Sequence, residues 1–127
     1  MTDMGTFRID IELENPARRG VRRTVAHLLV DSGSELTWVP AADLESLGVA
    51  REREKLFRQA SGVVVTRWVG SAFIHAAGTF TPDEVVFGEA NDPRILGSRT
   101  LEGLNVTIDP VSKRLVDAGP APAAAAA

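Results

Sequence analysis

The sequence predicts a mainly β, barrel-like fold with one or two short helices. Apolar and polar residues alternate with a period of two through much of the chain, turn-forming residues interrupt that pattern at short intervals, and only two brief stretches carry helix signals. The 127 residues suffice for one domain. We place that domain at residues 1–117 and read the Pro/Ala-rich stretch 118–127 as a tail, because it has no pattern to bury.

The elements follow in order. Phe7, Ile9, Ile11 and Leu13 alternate with Arg8, Asp10, Glu12 and Glu14, as a half-buried strand requires. Residues 15–20 (Asn-Pro-Ala-Arg-Arg-Gly) read as a hairpin turn. Residues 21–30 return as a strand that becomes continuously apolar near its end, which predicts a central position in the sheet. Residues 36–39 form another short strand. A helix is expected over 40–48, with Pro40 at its start and Gly48 past its end. Residues 51–60 and 63–76 read as the arms of a long hairpin turning at Ser61-Gly62, and Ala77-Gly78 reverses the chain again. Residues 79–87 are strand-like, with Pro82 marking an edge or a bulge. A polar loop over 88–93 leads to Ile95-Leu96-Gly97, and Ser98 is expected to cap a second helix. Residues 105–109 and 114–116 are expected to pair around the turn at 110–113. No internal repeat is present.

Composition narrows the function. A net charge of -3 argues against a nucleic-acid partner. The basic residues cluster at Arg18-Arg19 with Arg22-Arg23, and at Arg51, Arg53, Lys55 and Arg58. The second group is interleaved with Glu52 and Glu54 like a solvated strand face, and neither has an aromatic platform beside it. No stretch approaches the roughly 20 apolar residues of a membrane helix, so no membrane partner is expected. The first five residues have neither a basic start nor an apolar core, which makes the cytoplasm the default expectation. The absence of Cys removes disulfides and thiolate metal sites. His27 and His75 stand isolated on strands and read as structural or exposed, so no metal or other cofactor is implied.

The chemistry concentrates in His27-Leu28-Leu29-Val30-Asp31-Ser32-Gly33-Ser34. An apolar strand ends at an acid followed by a hydroxyl residue and a glycine. An acid at the end of such a strand is costly unless it is hydrogen-bonded or put to use. The plain alternative is an Asp that caps its own turn. Asp117-Ala118-Gly119 imitates the motif, but it precedes Pro and an Ala tract and has no strand after it. One carboxylate is a poor catalyst of amide hydrolysis, whereas two that share a proton form an acid–base pair. If Asp31 is catalytic, its partner must come from a second copy of the chain.

Leu29-Val30-Asp31-Ser32-Gly33-Ser34-Glu35-Leu36-Thr37 resembles the active-site segment of single-domain, retropepsin-type aspartic proteases. Their second signature, two apolar residues and a Gly before a short helix, has its counterpart in Ile95-Leu96-Gly97 and residues 98–104. The stretch over 101–110, closing on Arg114-Leu115-Val116, is similar to the ends of prokaryotic members. The resemblance spans about residues 7–116. It implies a closed β-barrel lobe with a flap hairpin, a homodimer, and an aspartic endopeptidase in which water is activated between two Asp31 carboxyls. It implies that Ser32 bonds across the dimer near the other Asp31, and that Gly33 lets the backbone pass close to the substrate. By the same resemblance, Leu29, Ser34, Glu35, Trp38, Ala60, Ser61, Gly62 and Ile95 contact an extended peptide or protein substrate. Trp38 is equally readable as core packing.

The chain also departs from the family. Glu35 stands where retroviral members carry an Asp paired with an Arg that directly follows the apolar-apolar-Gly signature. Ser98 occupies that place here and Arg99 comes next, so a Glu35–Arg99 pair is one expectation and two solvated charges the other. The flap tip has one Gly, and the chain has no Tyr. A non-catalytic, dimerising β domain that binds extended peptides is the alternative reading.

Overall fold

The computed structural model describes residues 7–123; residues 1–6 and the last four alanines of the tail, 124–127, lie outside the described residues. Among the described residues, nine strands and two short helices follow in the order β1 (Arg8–Glu14), β2 (Arg22–Val30), β3 (Thr37–Pro40), α1 (Ala41–Ser46), β4 (Arg53–Arg58), β5 (Val64–Ala76), β6 (Thr79–Gly88), β7 (Ile95–Leu96), α2 (Ser98–Gly103), β8 (Val106–Asp109) and β9 (Arg114–Asp117). The main sheet runs β1-β2-β7-β3-β6-β5-β4, and β1 also pairs with β5. That extra pairing closes six strands into a ring, which removes their free edges. β4 lies outside the ring, joined only to β5. Among the described residues, no helix is long and apolar enough to cross a membrane.

The alternation read from the sequence fills the ring. Ile11, Leu13, Val25, Leu28, Ile74, Val85, Phe87 and Leu96 are buried inside it. Val25 and Leu28 stand three apart, a spacing that would send them to opposite faces of a regular strand. A bulge resolves the conflict: Ile9 pairs with Leu28, but Ile11 pairs with Val25. His27 sits in the bulge with φ 61°. Its N–H donates to the Asp10 carboxylate at 3.0 Å, and its carbonyl accepts from Arg8 at 3.0 Å. The central position expected for β2 is observed, between β1 and β7.

β5 runs on past the ring and returns with β4 as a hairpin. A Cβ at Gly70 would lie 2.3 Å from the Ala50 carbonyl, so glycine lets the incoming chain cross β5 closely. A second, smaller apolar cluster of Leu36, Trp38, Val69 and Val86 lies under this hairpin, with Phe57, Val65 and Ile95 packed against it. Pro82 is an edge residue and not a bulge. The β5–β6 register is unbroken from Val69–Val86 to Ala76–Thr79, and β3 pairs only with the later half of β6.

Candidate active site

β7 lies between β2 and β3, parallel to the first and antiparallel to the second. The 31–36 loop must therefore pass over the end of β7, and the chain leaving β7 holds it there. Asp31 N–H donates to the Leu96 carbonyl at 3.0 Å. Ser98 N–H donates to the Ser34 carbonyl at 2.7 Å and Arg99 N–H to the Glu35 carbonyl at 3.0 Å. The expectation that Ser98 caps α2 is corrected: Gly97 occupies the cap position, and no side chain caps the helix. The loop's carbonyls satisfy the orphan donors at the helix start instead. That junction demands glycine, since a Cβ at Gly97 would lie 2.5 Å from the Leu36 carbonyl oxygen.

A line of hydroxyls fixes the same junction. Gly97 N–H donates to Thr37 Oγ1 at 3.0 Å. The Thr37 and Thr100 hydroxyls are 2.6 Å apart, and Thr100 donates to Asp83 Oδ2 at 2.7 Å. Because Thr100 spends its proton on a carboxylate, Thr37 donates to Thr100. The chain of bonds thus runs in one direction from β7 to β6, and both threonines are fully buried.

Asp31 stands half-exposed at the head of this loop. Gly33 N–H donates to Asp31 Oδ1 at 2.9 Å, and among the described residues no side chain bonds the other oxygen. The turn-capping bond of the plain alternative is therefore present, and it engages only one of the two carboxylate oxygens. Gly33 does not have a left-handed backbone; a Cβ there would come 3.1 Å from Oδ1, a tight approach that a small shift of the Asp31 carboxylate relieves.

Asp31 borders a cleft of about 610 Å³ roofed by the β4–β5 hairpin. Of the residues expected at the site, Asp31, Gly33, Ser34, Glu35, Trp38, Ala60 and Ile95 line it. Ser32 is exposed outside it. Leu29 is half-buried in register with Ile95, one strand behind the lining. Ser61 and Gly62 form the exposed hairpin tip, where Gly62 has φ +88° and its N–H donates to Gln59 at 2.8 Å. Trp38 is 7% exposed in the smaller apolar cluster and also lines the cleft.

The expected Glu35–Arg99 ion pair does not form. Arg99 lies 3.5 Å from Asp83 and 3.8 Å from Glu84, while Glu35 lies 3.7 Å from Lys55 on the hairpin. One residue further along a helix turns a side chain by about 100°, which carries Arg99 away from the loop and toward β6. Only its backbone meets Glu35.

Lys55, Phe57, Arg58 and Pro93 also line the cleft; in the sequence, Lys55 and Arg58 read only as part of a solvated basic face, and Phe57 and Pro93 are not assigned to the site. Phe57 was findable as the aromatic residue in the 51–60 arm, but alternation alone does not say which face turns inward. Pro93 is fixed by contacts distant in sequence. Asp92 takes a two-point bond from Arg67 of β5 at 2.6 and 2.9 Å and a third from Glu89 N–H at 2.7 Å. The Arg67 guanidinium holds the Asp92 carboxyl below the usual carboxylate range, and burial opposes it. The two histidines lie elsewhere, His27 in the bulge of β2 and His75 against Glu14 at 2.8 Å.

No protein-family model matches the chain, and no curated protein matches it. Its structure is similar to the solution structure of Simian Foamy Virus (mac) protease, with a TM-score of 0.50 at 20% sequence identity. The match covers 76% of this chain and 92% of that one. At that identity the likeness establishes the fold alone: the chain has a retropepsin-like fold, mainly β, with a hairpin over a cleft.

Proposed function

We propose that the chain is an aspartic endopeptidase of the prokaryotic retropepsin-like type, active as a homodimer. The carrying observation is Asp31 itself, an acid at a strand end that lines a cleft of about 610 Å³ and has one carboxylate oxygen without a side-chain partner among the described residues. Glu35, the other acid lining the cleft, has a 70% exposed side chain beside Lys55 and is unsuited to share a proton with Asp31. A single chain thus offers half of an acid–base pair. On a two-fold axis, Asp31 of the partner subunit supplies the rest.

Two carboxyls a few ångströms apart cannot both ionise comfortably, so the pair retains one proton. The ionised carboxylate takes a proton from water as its oxygen attacks the scissile carbonyl. The protonated carboxyl donates to the carbonyl oxygen, giving a diol intermediate. Collapse of that diol returns a proton to the leaving nitrogen and breaks the C–N bond. The substrate lies extended between floor and flap, with an apolar leaning from Leu36, Trp38 and Ile95.

One observation favours the second reading, a peptide-binding domain without turnover. Arg99 is engaged by Asp83 and Glu84 and does not brace the loop through Glu35. Cleavage of a peptide library by wild type and by Asp31→Asn, from acidic to neutral pH, decides between them. The protease reading expects an acid-shifted optimum in the wild type and a loss of at least about a hundredfold in the variant, with the dimer intact by sedimentation. No cleavage at any pH, or equal cleavage by the variant, overturns it.

A further inference from the structure

Ile95 and Trp38, which line the cleft, belong to one register row. Leu29 pairs with Ile95, Ile95 with Trp38, and Trp38 with Val86, so their side chains share one face of the sheet. Phe57 descends from the hairpin onto this row. Its ring centre lies 5.0 Å from that of Trp38, with the planes at 64°. This is an attractive edge-to-face contact between roof and floor. Trp38 is buried, Phe57 is half-buried, and both line the same cleft as Asp31. An extended peptide entering between roof and floor meets two large rings already in contact. Interiors are packed with little slack, so a bulky side chain enters there only by parting the rings.

We infer that Trp38 and Phe57 act as a size filter that sets the substrate class: at one position on each side of the scissile bond, related by the two-fold axis, the peptide must carry Gly, Ala or Ser. Positions facing Leu36 and Ile95 accept larger apolar side chains. The inference rests on the protease reading for where the cut falls, but the filter itself is a property of the cleft.

The test is kcat/KM for paired peptides that differ only in Ala against Leu at each position flanking the cut. Wild type is expected to prefer Ala at these two symmetry-related positions by about tenfold or more. Phe57→Val should raise the Leu/Ala ratio there by a similar factor and leave the ratios at other positions unchanged. Phe57→Leu, which keeps more of the ring's volume, should move the ratio the same way by less and serves if the valine variant does not fold. Equal use of Leu and Ala at every position by wild type, or a ratio indifferent to both variants, overturns the filter. If wild type cuts nothing, the protease reading fails and the same peptides are scored by binding to an immobilised array. The same reversal between wild type and Phe57→Val supports the filter there, and no size preference or no binding overturns it.

Discussion

Glu14 was read as one of the outward residues of its strand, yet it is 2% exposed. The second pairing of β1 covers it, since Glu14 stands opposite Phe73 of β5. Its carboxylate accepts the Gly20 N–H at 2.5 Å, meets His75 Nε2 at 2.8 Å and accepts Arg19 Nε at 3.2 Å. Those bonds, that of Gly20 foremost, lower its pKa from 4.5 to about 2 against the opposing effect of burial. A depressed carboxylate pKa stabilises the fold fully above the unfolded value, and that contribution is lost as pH falls from 4.5 toward about 2. Glu14→Gln should therefore be less stable at neutral pH and flatter in its stability across that acid window. Urea midpoints measured at pH values on either side of the window check this, and parallel curves for wild type and variant would count against it.

At the scale of elements, the β2–β7–β3 junction and the start of α2 determine the shape of the site. Gly97→Ala pushes a methyl onto the Leu36 carbonyl and should cost on the order of 1–3 kcal/mol in denaturant unfolding. The loop must move to admit it, so cleavage by the folded variant should fall as well; an unchanged midpoint would show that the junction has slack. Most of these elements were legible in the sequence, because period-two alternation and turn residues are local signals. The first arm at 7–14, the hairpin turning at Ser61-Gly62 and the helix after Pro40 all stand close to where they were read. What escaped were features decided by partners distant in the chain. The bulge at His27 exists because Val25 and Leu28 must both face inward. The missing cap on α2 and the displaced Arg99 follow from how the 31–36 loop and β6 dock. For the site, Asp31, Gly33, Trp38 and Ile95 were legible through a motif, whereas Lys55, Phe57 and Pro93 required knowing which hairpin face turns down and what Arg67 grips.

For the whole molecule, the proposal requires self-association. Cleavage per chain should rise with protein concentration and level off where sedimentation shows a complete dimer. A constant rate per chain, down to concentrations at which only monomer sediments, would exclude a shared pair of acids. The six-strand ring makes each lobe self-sufficient as a fold, since β1 closes onto β5 within one chain. Association is therefore expected to dissociate on dilution without unfolding, and circular dichroism across the same series checks that.

The loop bearing Asp31 is clasped by a segment translated much later: Thr37 and Gly97 are sixty positions apart. Such distant contacts form slowly and only after the intervening chain exists. A ribosome therefore exposes the acid motif long before the clasp that shapes it is made. The nascent polypeptide, and any fragment broken off ahead of α2, carries the chemical group without its geometry. Asp31 therefore acquires the setting described here only once Gly97 and the start of α2 have been made.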